Sequence, residues 1–153
     1  MGTDRTEREE TTVPTQLQPT NPLGELFECL ARRELDAFLA GCSEEMVLTA
    51  RGVSAGSTVV TRHEFRVWFE SMRALTGETL ETEVSLALSM DNEHVVILRH
   101  SLWRDGELHS YLTLNRCTFA DGLLRGWYSN PMHVLDYCTA WGTWETDKAT
   151  ALR

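Results

Sequence analysis

The chain has 153 residues, of which 42% are hydrophobic and 24% are charged, which is ordinary for a globular protein with a single core. Its net charge of -9 argues against nucleic acid and anionic membrane surfaces as partners, because sites for phosphate are usually basic. No apolar run approaches the roughly 18 residues that a membrane-spanning helix needs. The polar N-terminal stretch does not look like a secretory signal, so a cytoplasmic location is expected.

Cysteine and histidine spacing favours neither a metal site nor a cofactor site. The four cysteines contain no CxxC pair, and the five histidines form no HExxH motif, so we expect ordinary thiols and no bound metal. A phosphate loop would need a lysine after its glycines, and a serine-hydrolase elbow would need GxSxG. The sequence has neither motif, and we therefore expect no cofactor.

The N-terminal third predicts a tail followed by helices. Residues 1–21 have no aromatic side chain and are expected to be flexible, and residues 145–153 are expected to form a C-terminal tail. Asn21 and Pro22 have the pattern of a helix start, so the domain is placed at residues 22–144. Apolar residues recur at helical spacing over 22–40, with an interruption near Glu34 that predicts two helices or one broken helix.

The remaining elements predict a third helix and then a meander of strands. A short strand over 46–50 and a loop at 52–57 precede a helix from about 61 to 75. Strands are then predicted over 80–90, 94–103, 108–119 and 123–129, joined by tight turns of which two contain Asp-Gly. Alternation in the first of these places Thr82, Val84, Leu86 and Leu88 on one half-buried face. The aromatic segment from Pro131 to Trp144 can fold over the sheet. Helices followed by antiparallel strands predict an α+β fold.

This order of elements, together with the segment Phe119-Ala-Asp-Gly-Leu-Leu-Arg-Gly-Trp127, resembles the nuclear transport factor 2-like superfamily over about residues 22–136. That superfamily includes ketosteroid isomerases, limonene-epoxide hydrolases and SnoaL-like polyketide cyclases. The resemblance implies N-terminal helices packed in the concavity of a curved antiparallel sheet, a cone-shaped α+β barrel. It also implies a small-molecule pocket and a homodimer.

The catalytic carboxylates of these three groups do not match this chain. The base of the ketosteroid isomerases falls on Ala50, and their protonated acid falls on Asn115. The arginine of limonene-epoxide hydrolases matches Arg99, but their two aspartates fall on Ser101 and Ser129. The acidic residue that SnoaL-like cyclases often carry also falls on Ser129. Without a carboxylate base, the known mechanisms lose their source of proton abstraction.

The resemblance nevertheless nominates site residues. Arg99 and Asn115 are the candidate catalytic groups, stabilising negative charge on a substrate oxygen. For Arg99 the alternative is an outward position beside a surface acid, which the apolar row of Val96, Leu98 and Leu102 favours. For Asn115 the alternative is an internal structural hydrogen bond.

The candidate substrate-binding residues come from strands and from the third helix. Ser101 and Ser129 would position the substrate, and Trp127 would form a pocket wall unless it is plain core. Trp68 and Met72 on the third helix could face the ligand, although their helical spacing favours a position in the core over contact with a ligand. His100 lies in an apolar strand row, which predicts a buried or interface histidine more readily than a catalytic one. The candidate substrate-binding residues are therefore Ser101, Trp127, Ser129, Trp68 and Met72.

Two functional hypotheses follow from these residues. The first is a cofactor-independent tailoring enzyme, a cyclase, isomerase or dehydratase, that acts on an apolar small molecule such as a polyketide or terpenoid. The second is a non-catalytic small-molecule-binding or assembly module that keeps the cone and has lost the carboxylates.

Overall fold

A computed structural model describes residues 22–50, 58–142 and Trp144. The expected tails at 1–21 and 145–153, and the expected loop at 52–57, lie outside the described residues.

The N-terminal helices break where their sequence pattern breaks. Helix α1 spans Pro22–Ala31 and α2 spans Leu35–Ala40. Between them Arg33 has a φ of 63°, a left-handed conformation that no α-helix can continue through. The prediction of two helices is therefore confirmed.

Helix α3 spans Arg62–Leu75 and begins at a capping box. The Thr61 hydroxyl accepts a hydrogen bond from the Glu64 amide at 3.1 Å, and the Glu64 carboxylate accepts one from the Thr61 amide at 2.7 Å. These bonds satisfy two backbone donors that the first helical turn would otherwise leave unpaired. The buried face of α3 carries Phe65, Trp68, Phe69 and Met72.

Among the described residues, six strands form one sheet. They are β1 Cys42–Ala50, β2 Thr58–Thr61, β3 Glu81–Met90, β4 Glu93–Arg104, β5 Glu107–Ala120 and β6 Leu123–Pro131. Their order in the sheet is β2-β1-β6-β5-β4-β3. Four of the five strand pairings are antiparallel, but β1 lies parallel to β6, so the sheet is mixed, and it stays open between its edge strands β2 and β3. The short strand β2 was not predicted, and β1 begins four residues earlier than expected.

A bulge in β3 corrects one expectation. The pairing of β3 with β4 shifts by one residue between Val84 and Leu86. Because neighbouring residues of a strand face opposite sides of a sheet, this shift turns Leu86 and Leu88 away from the core. Both are exposed, whereas Thr82 before the bulge is buried as expected.

The helices cover one face of the sheet, and the core lies between the two layers. The C-terminal aromatic segment forms helix α4, Val134–Trp141, which packs on β5 and β4 and buries Tyr137 and Trp141. We call the uncovered side the outer face; it exposes Trp103, Leu114 and Tyr128. Over the described residues, no helix combines the length and apolar character needed to cross a membrane.

Candidate functional site

A cavity lies between the covered face of the sheet and helices α1, α3 and α4. Its empty volume is about 610 Å³ when the solvent space at its open mouth is included, and the enclosed part is much smaller. Four polar side chains on strands also face it, and none of its described lining residues is Asp, Glu, Lys or Arg. Such a lining favours a neutral, largely apolar ligand, because an unpaired charge would be costly to desolvate there. The aromatic lining consists of Trp68, Phe69, Tyr111, Trp127, Tyr137 and Trp141, and the four polar residues are Thr82, His100, Thr113 and Ser129.

A row of hydrogen-bonded side chains crosses the sheet beneath this cavity, from β3 to β6. The two ring nitrogens of His100 lie 3.0 Å from the hydroxyls of Thr82 and Thr113. Asn115 Nδ2 donates to the Thr113 hydroxyl at 2.9 Å, and Trp127 Nε1 donates to Asn115 Oδ1 at 2.8 Å. We call these five residues the polar row.

The donor-only character of an indole fixes the orientation of one end of the polar row. Since Trp127 Nε1 can only donate, Asn115 must present its oxygen there and its amide nitrogen to Thr113. That orientation agrees with two further acceptors of Asn115 Nδ2, the carbonyl oxygens of Val96 and Thr113, each at 3.1 Å. The Thr113 hydroxyl, which accepts from Asn115, can then donate to His100 Nε2. In that arrangement the Nδ1–H of His100 donates to Thr82.

Aromatic packing holds the other side of Trp127. Its ring meets Phe27 and Phe38 edge-on, with centroids 5.1 Å and 6.1 Å away, and Phe65 lies 5.8 Å away. These rings come from α1, α2 and α3, so all three helices fix one wall of the cavity. Edge-to-face pairs of this kind add stability beyond the area they bury.

Tyr111 brings a phenol into the same cavity from β5. Its ring stacks on His100 with centroids 5.0 Å apart, and its hydroxyl oxygen accepts a hydrogen bond from Trp141 Nε1 at 2.8 Å. Burial raises the pKa of Tyr111 above its ordinary value, although the bond from Trp141 works in the opposite direction. Tyr111 therefore stays a neutral phenol and keeps a proton that it can donate.

The structure places four of the expected site residues at the cavity. Trp68 and Met72 face it from α3, and Trp127 and Ser129 face it from β6. Ser129 lies between Ala50 on β1 and Asn115 on β5, its register partners on the two sides. Their roles toward a ligand remain predictions, but their positions agree with the expected pocket.

Asn115 is fully buried, and it serves the polar row rather than lining the cavity. Its carbonyl oxygen and its amide nitrogen both have protein partners. The internal structural bond, which was the alternative for this residue, is what the contacts show.

Arg99 and Ser101 do not face the cavity, which corrects the position expected for them. Arg99 is exposed and follows the buried Leu98, so it points to the outer face. The Ser101 hydroxyl is hydrogen-bonded to that of Ser110 at 2.9 Å on the same outer side. The match to the family assigned Arg99 and Ser101 to the inward face of β4, whereas the structure places their immediate neighbours on that face. The apolar alternation of β4 had favoured the correct face.

Sequence reasoning missed Thr82, Thr113 and Tyr111 as site residues, and it treated His100 as structural. A signal for three of them was present in the hairpin turn at Asp105-Gly106, whose residues both have positive φ. A two-residue turn of this kind fixes strand register. Counting back from it pairs His100 with Tyr111, as the structure does. Thr82 could not be placed in this way, because the bulge in β3 intervenes.

The cysteines and the acidic residues do not suggest further chemistry. Burial raises the pKa of Cys42 and of Cys117 to about 12, so both remain thiols at neutral pH and are poor nucleophiles. Among the residues that the structure describes, no three His, Cys, Asp or Glu side chains are grouped so as to hold a metal ion.

Comparison with solved structures identifies the fold. The chain is similar to an NTF2-like protein of unknown function from Burkholderia pseudomallei, with a TM-score of 0.62 and 14% identity over 79% of this chain and 95% of the other. IdmH of Streptomyces antibioticus, classed among the polyketide cyclases, matches with a TM-score of 0.62 and 13% identity over 79% and 96% of the two chains. TerC, co-crystallised with polyporic acid, matches with a TM-score of 0.64 and 12% identity over 78% and 97%.

These likenesses show that the chain has the nuclear transport factor 2-like fold, as its sequence pattern predicted. The sequence matches no family model and no curated protein.

Proposed function

We propose that this protein, built on the nuclear transport factor 2-like fold, binds a neutral apolar small molecule in the cavity and converts it by cyclisation, isomerisation or dehydration. The observation that carries the proposal is the cavity itself, which has aromatic walls and a histidine held between two threonine hydroxyls. Structural neighbours classed as polyketide cyclases support the same reaction class. A polyketide or terpenoid is the substrate class that suits an uncharged lining of this kind.

His100 is the group that we propose for proton transfer. A neutral imidazole can take a proton at one nitrogen while it releases one from the other. Both of its nitrogens are bonded to threonine hydroxyls that line the cavity, so a substrate proton would reach His100 through Thr82 or Thr113. The phenol of Tyr111 would donate a hydrogen bond to a developing oxyanion in place of the Arg99 guanidinium.

The second candidate function is binding without catalysis. The specific observation in its favour is that the described lining residues include no carboxylate, and the family's base position is Ala50. Because these described residues offer no carboxylate, an enzyme with this lining would have to transfer protons through His100 alone. The cavity would serve as a carrier or sensing site for the same class of neutral compound.

The first test is to purify the protein from its own host, record a native mass spectrum and extract any bound compound. Ser129→Phe fills the cavity, whereas Asn130→Phe adds the same ring at the next residue, which is exposed. We expect a neutral metabolite on the wild type and on Asn130→Phe, and none on Ser129→Phe. A metabolite retained by Ser129→Phe, or a wild type that is empty, would contradict binding in this cavity.

The second test separates the enzyme from the binding module. The extracted compound is incubated with the protein in D₂O and analysed by mass spectrometry and chromatography. Deuterium uptake, loss of water or a new isomer that disappears in His100→Gln supports catalysis. An unchanged compound supports a binding module, and turnover that persists in His100→Gln contradicts the role given to this residue.

A further inference from the structure

The indole of Trp68 is buried at the cavity, and the described residues offer no partner for its N–H group. Trp68 is 5% exposed and lines the cavity from α3, and no described residue accepts a hydrogen bond from its Nε1. Buried indole nitrogens usually have a partner, because a buried donor without one has lost its hydration with nothing to replace it. An unpaired donor on a residue that lines a cavity is a group that a ligand oxygen would satisfy.

A second donor at the same cavity is the O–H group of Tyr111. Its oxygen accepts from Trp141 Nε1, and an indole cannot accept in return, so this bond leaves the phenolic proton unused. The side chain is 6% exposed, and the structure shows no protein acceptor for that proton among the described residues. Accepting from Trp141 also polarises the phenol and makes it a stronger donor.

The hydroxyl groups on the strands are the acceptors of the cavity, and two of them already have a partner. The hydroxyls of Thr82 and Thr113 are bonded to His100, whereas the hydroxyl of Ser129 can donate as well as accept. The unmatched groups at the site are therefore mainly donors, and the described lining residues supply no lysine, arginine or carboxylate. Donors without a formal positive charge suit a neutral oxygen better than a carboxylate or phosphate.

We infer that the ligand is a neutral carbonyl compound on an apolar ring system, with a ketone or quinone oxygen that accepts from Trp68 Nε1 and Tyr111 Oη. This inference rests on the proposed function and narrows it, since it names the functional group that the cavity selects. Aromatic walls stack on the rings, and the two donors fix the position of the carbonyl oxygen.

The test uses a matched pair of probes, 1-tetralone and tetralin, which share a bicyclic carbon skeleton and differ by the ketone oxygen. Their dissociation constants are measured by titration calorimetry with the wild type, Trp68→Phe, Tyr111→Phe and Trp103→Phe. Trp103→Phe is the control, because Trp103 is half exposed on the outer face. Since Tyr111→Phe also removes the acceptor of Trp141 Nε1, Trp68→Phe is the primary variant.

We expect the wild type and Trp103→Phe to bind tetralone about 2- to 10-fold more tightly than tetralin, the range that one net hydrogen bond provides. Trp68→Phe should lose part of this preference, because Tyr111 Oη still donates, while its affinity for tetralin changes little. In ¹H–¹⁵N spectra, the indole signal that is missing from Trp68→Phe should move downfield when tetralone is added to the wild type, and not when tetralin is added.

Three outcomes would count against these ideas in different ways. Equal affinity of the wild type for both probes would overturn the carbonyl inference and leave the apolar site intact. A ketone preference that is as large in both Trp68→Phe and Tyr111→Phe as in the wild type would overturn the assignment of the donors. Failure of both probes to bind the wild type would overturn the proposed cavity function and, with it, this inference.

Discussion

The bond between Asn115 and Trp127 offers a direct test of how the polar row is built. Replacing Asn115 with Leu keeps the side-chain volume nearly unchanged but removes the acceptor of Trp127 Nε1 and the donor to Thr113. Trp127 is 7% exposed, so its orphaned N–H would carry a desolvation cost of about 1–3 kcal/mol. With the lost amide bonds, we expect the free energy of unfolding to fall by about 2–4 kcal/mol.

A double-mutant cycle separates this bond from the other effects of each substitution. Trp127→Phe removes the indole donor and leaves Asn115 Oδ1 without its partner, whereas the double variant removes both ends at once. We therefore expect the double variant to be about 1–2 kcal/mol more stable than the sum of the single changes predicts. The measurement is unfolding of all four proteins in urea, monitored by circular dichroism.

The control for this cycle is Asn130→Leu, because Asn130 is exposed on the strand that carries Trp127. It should change stability by less than about 0.5 kcal/mol. Additive effects in the cycle, within about 0.5 kcal/mol, would refute the claim that these side chains are bonded. If Asn115→Leu kept the free energy of unfolding of the wild type but lost turnover, the catalytic role first expected for Asn115 would be favoured instead.

Three further predictions concern other parts of the chain. Arg99→Ala should leave ligand affinity unchanged and change the free energy of unfolding by less than about 0.5 kcal/mol, because Arg99 is exposed on the outer face. A large loss of affinity, measured by calorimetry, would show that Arg99 does belong to the binding site. Thr61→Ala should cost about 0.5–2 kcal/mol in urea unfolding, because it removes the cap bonded to the Glu64 amide, whereas Thr61→Ser should retain most of it. Burial raises the pKa values of Cys42 and Cys117 to about 12, against an ordinary 9.0. Between these values the folded state keeps thiol protons that the unfolded state has lost. The contribution of the two thiols to the free energy of unfolding is therefore complete below about pH 9 and declines as the pH rises toward 12. The decline is at most about 1.4 kcal/mol per pH unit for each thiol, and a Cys117→Ala protein with an equally steep decline would contradict it.

Local patterns in the sequence determined most of the fold. Period-3.6 spacing located α1, α2 and α3, and the interruption near Glu34 marked the break between the first two. Two-residue turns with Asp-Gly located the hairpins of the meander, because these turns need positive φ at both central residues. These are short-range requirements, so the order of residues alone expresses them.

The face on which a site residue lies was decided by register, and register is a property of the whole sheet. The bulge in β3 turned Leu86 and Leu88 outward, and no residue type in that strand marks it. Arg99 was expected in the cavity because a distant resemblance was carried over residue by residue, yet an error of one residue reverses the face. Alternation within β4 was the better guide, since the burial of Leu98 constrains it directly.

The sequence by itself determined an α+β chain with aromatic helices and a meander. Only the tertiary structure brought Thr82, His100, Thr113, Asn115 and Trp127, from four different strands, into one hydrogen-bonded row. Likewise, only packing left Trp68 Nε1 without an acceptor within the described part of the chain, because whether a donor is satisfied depends on every neighbour that surrounds it. Secondary structure follows from local spacing, whereas a binding site follows from which side chains remain unmatched after long-range packing is complete.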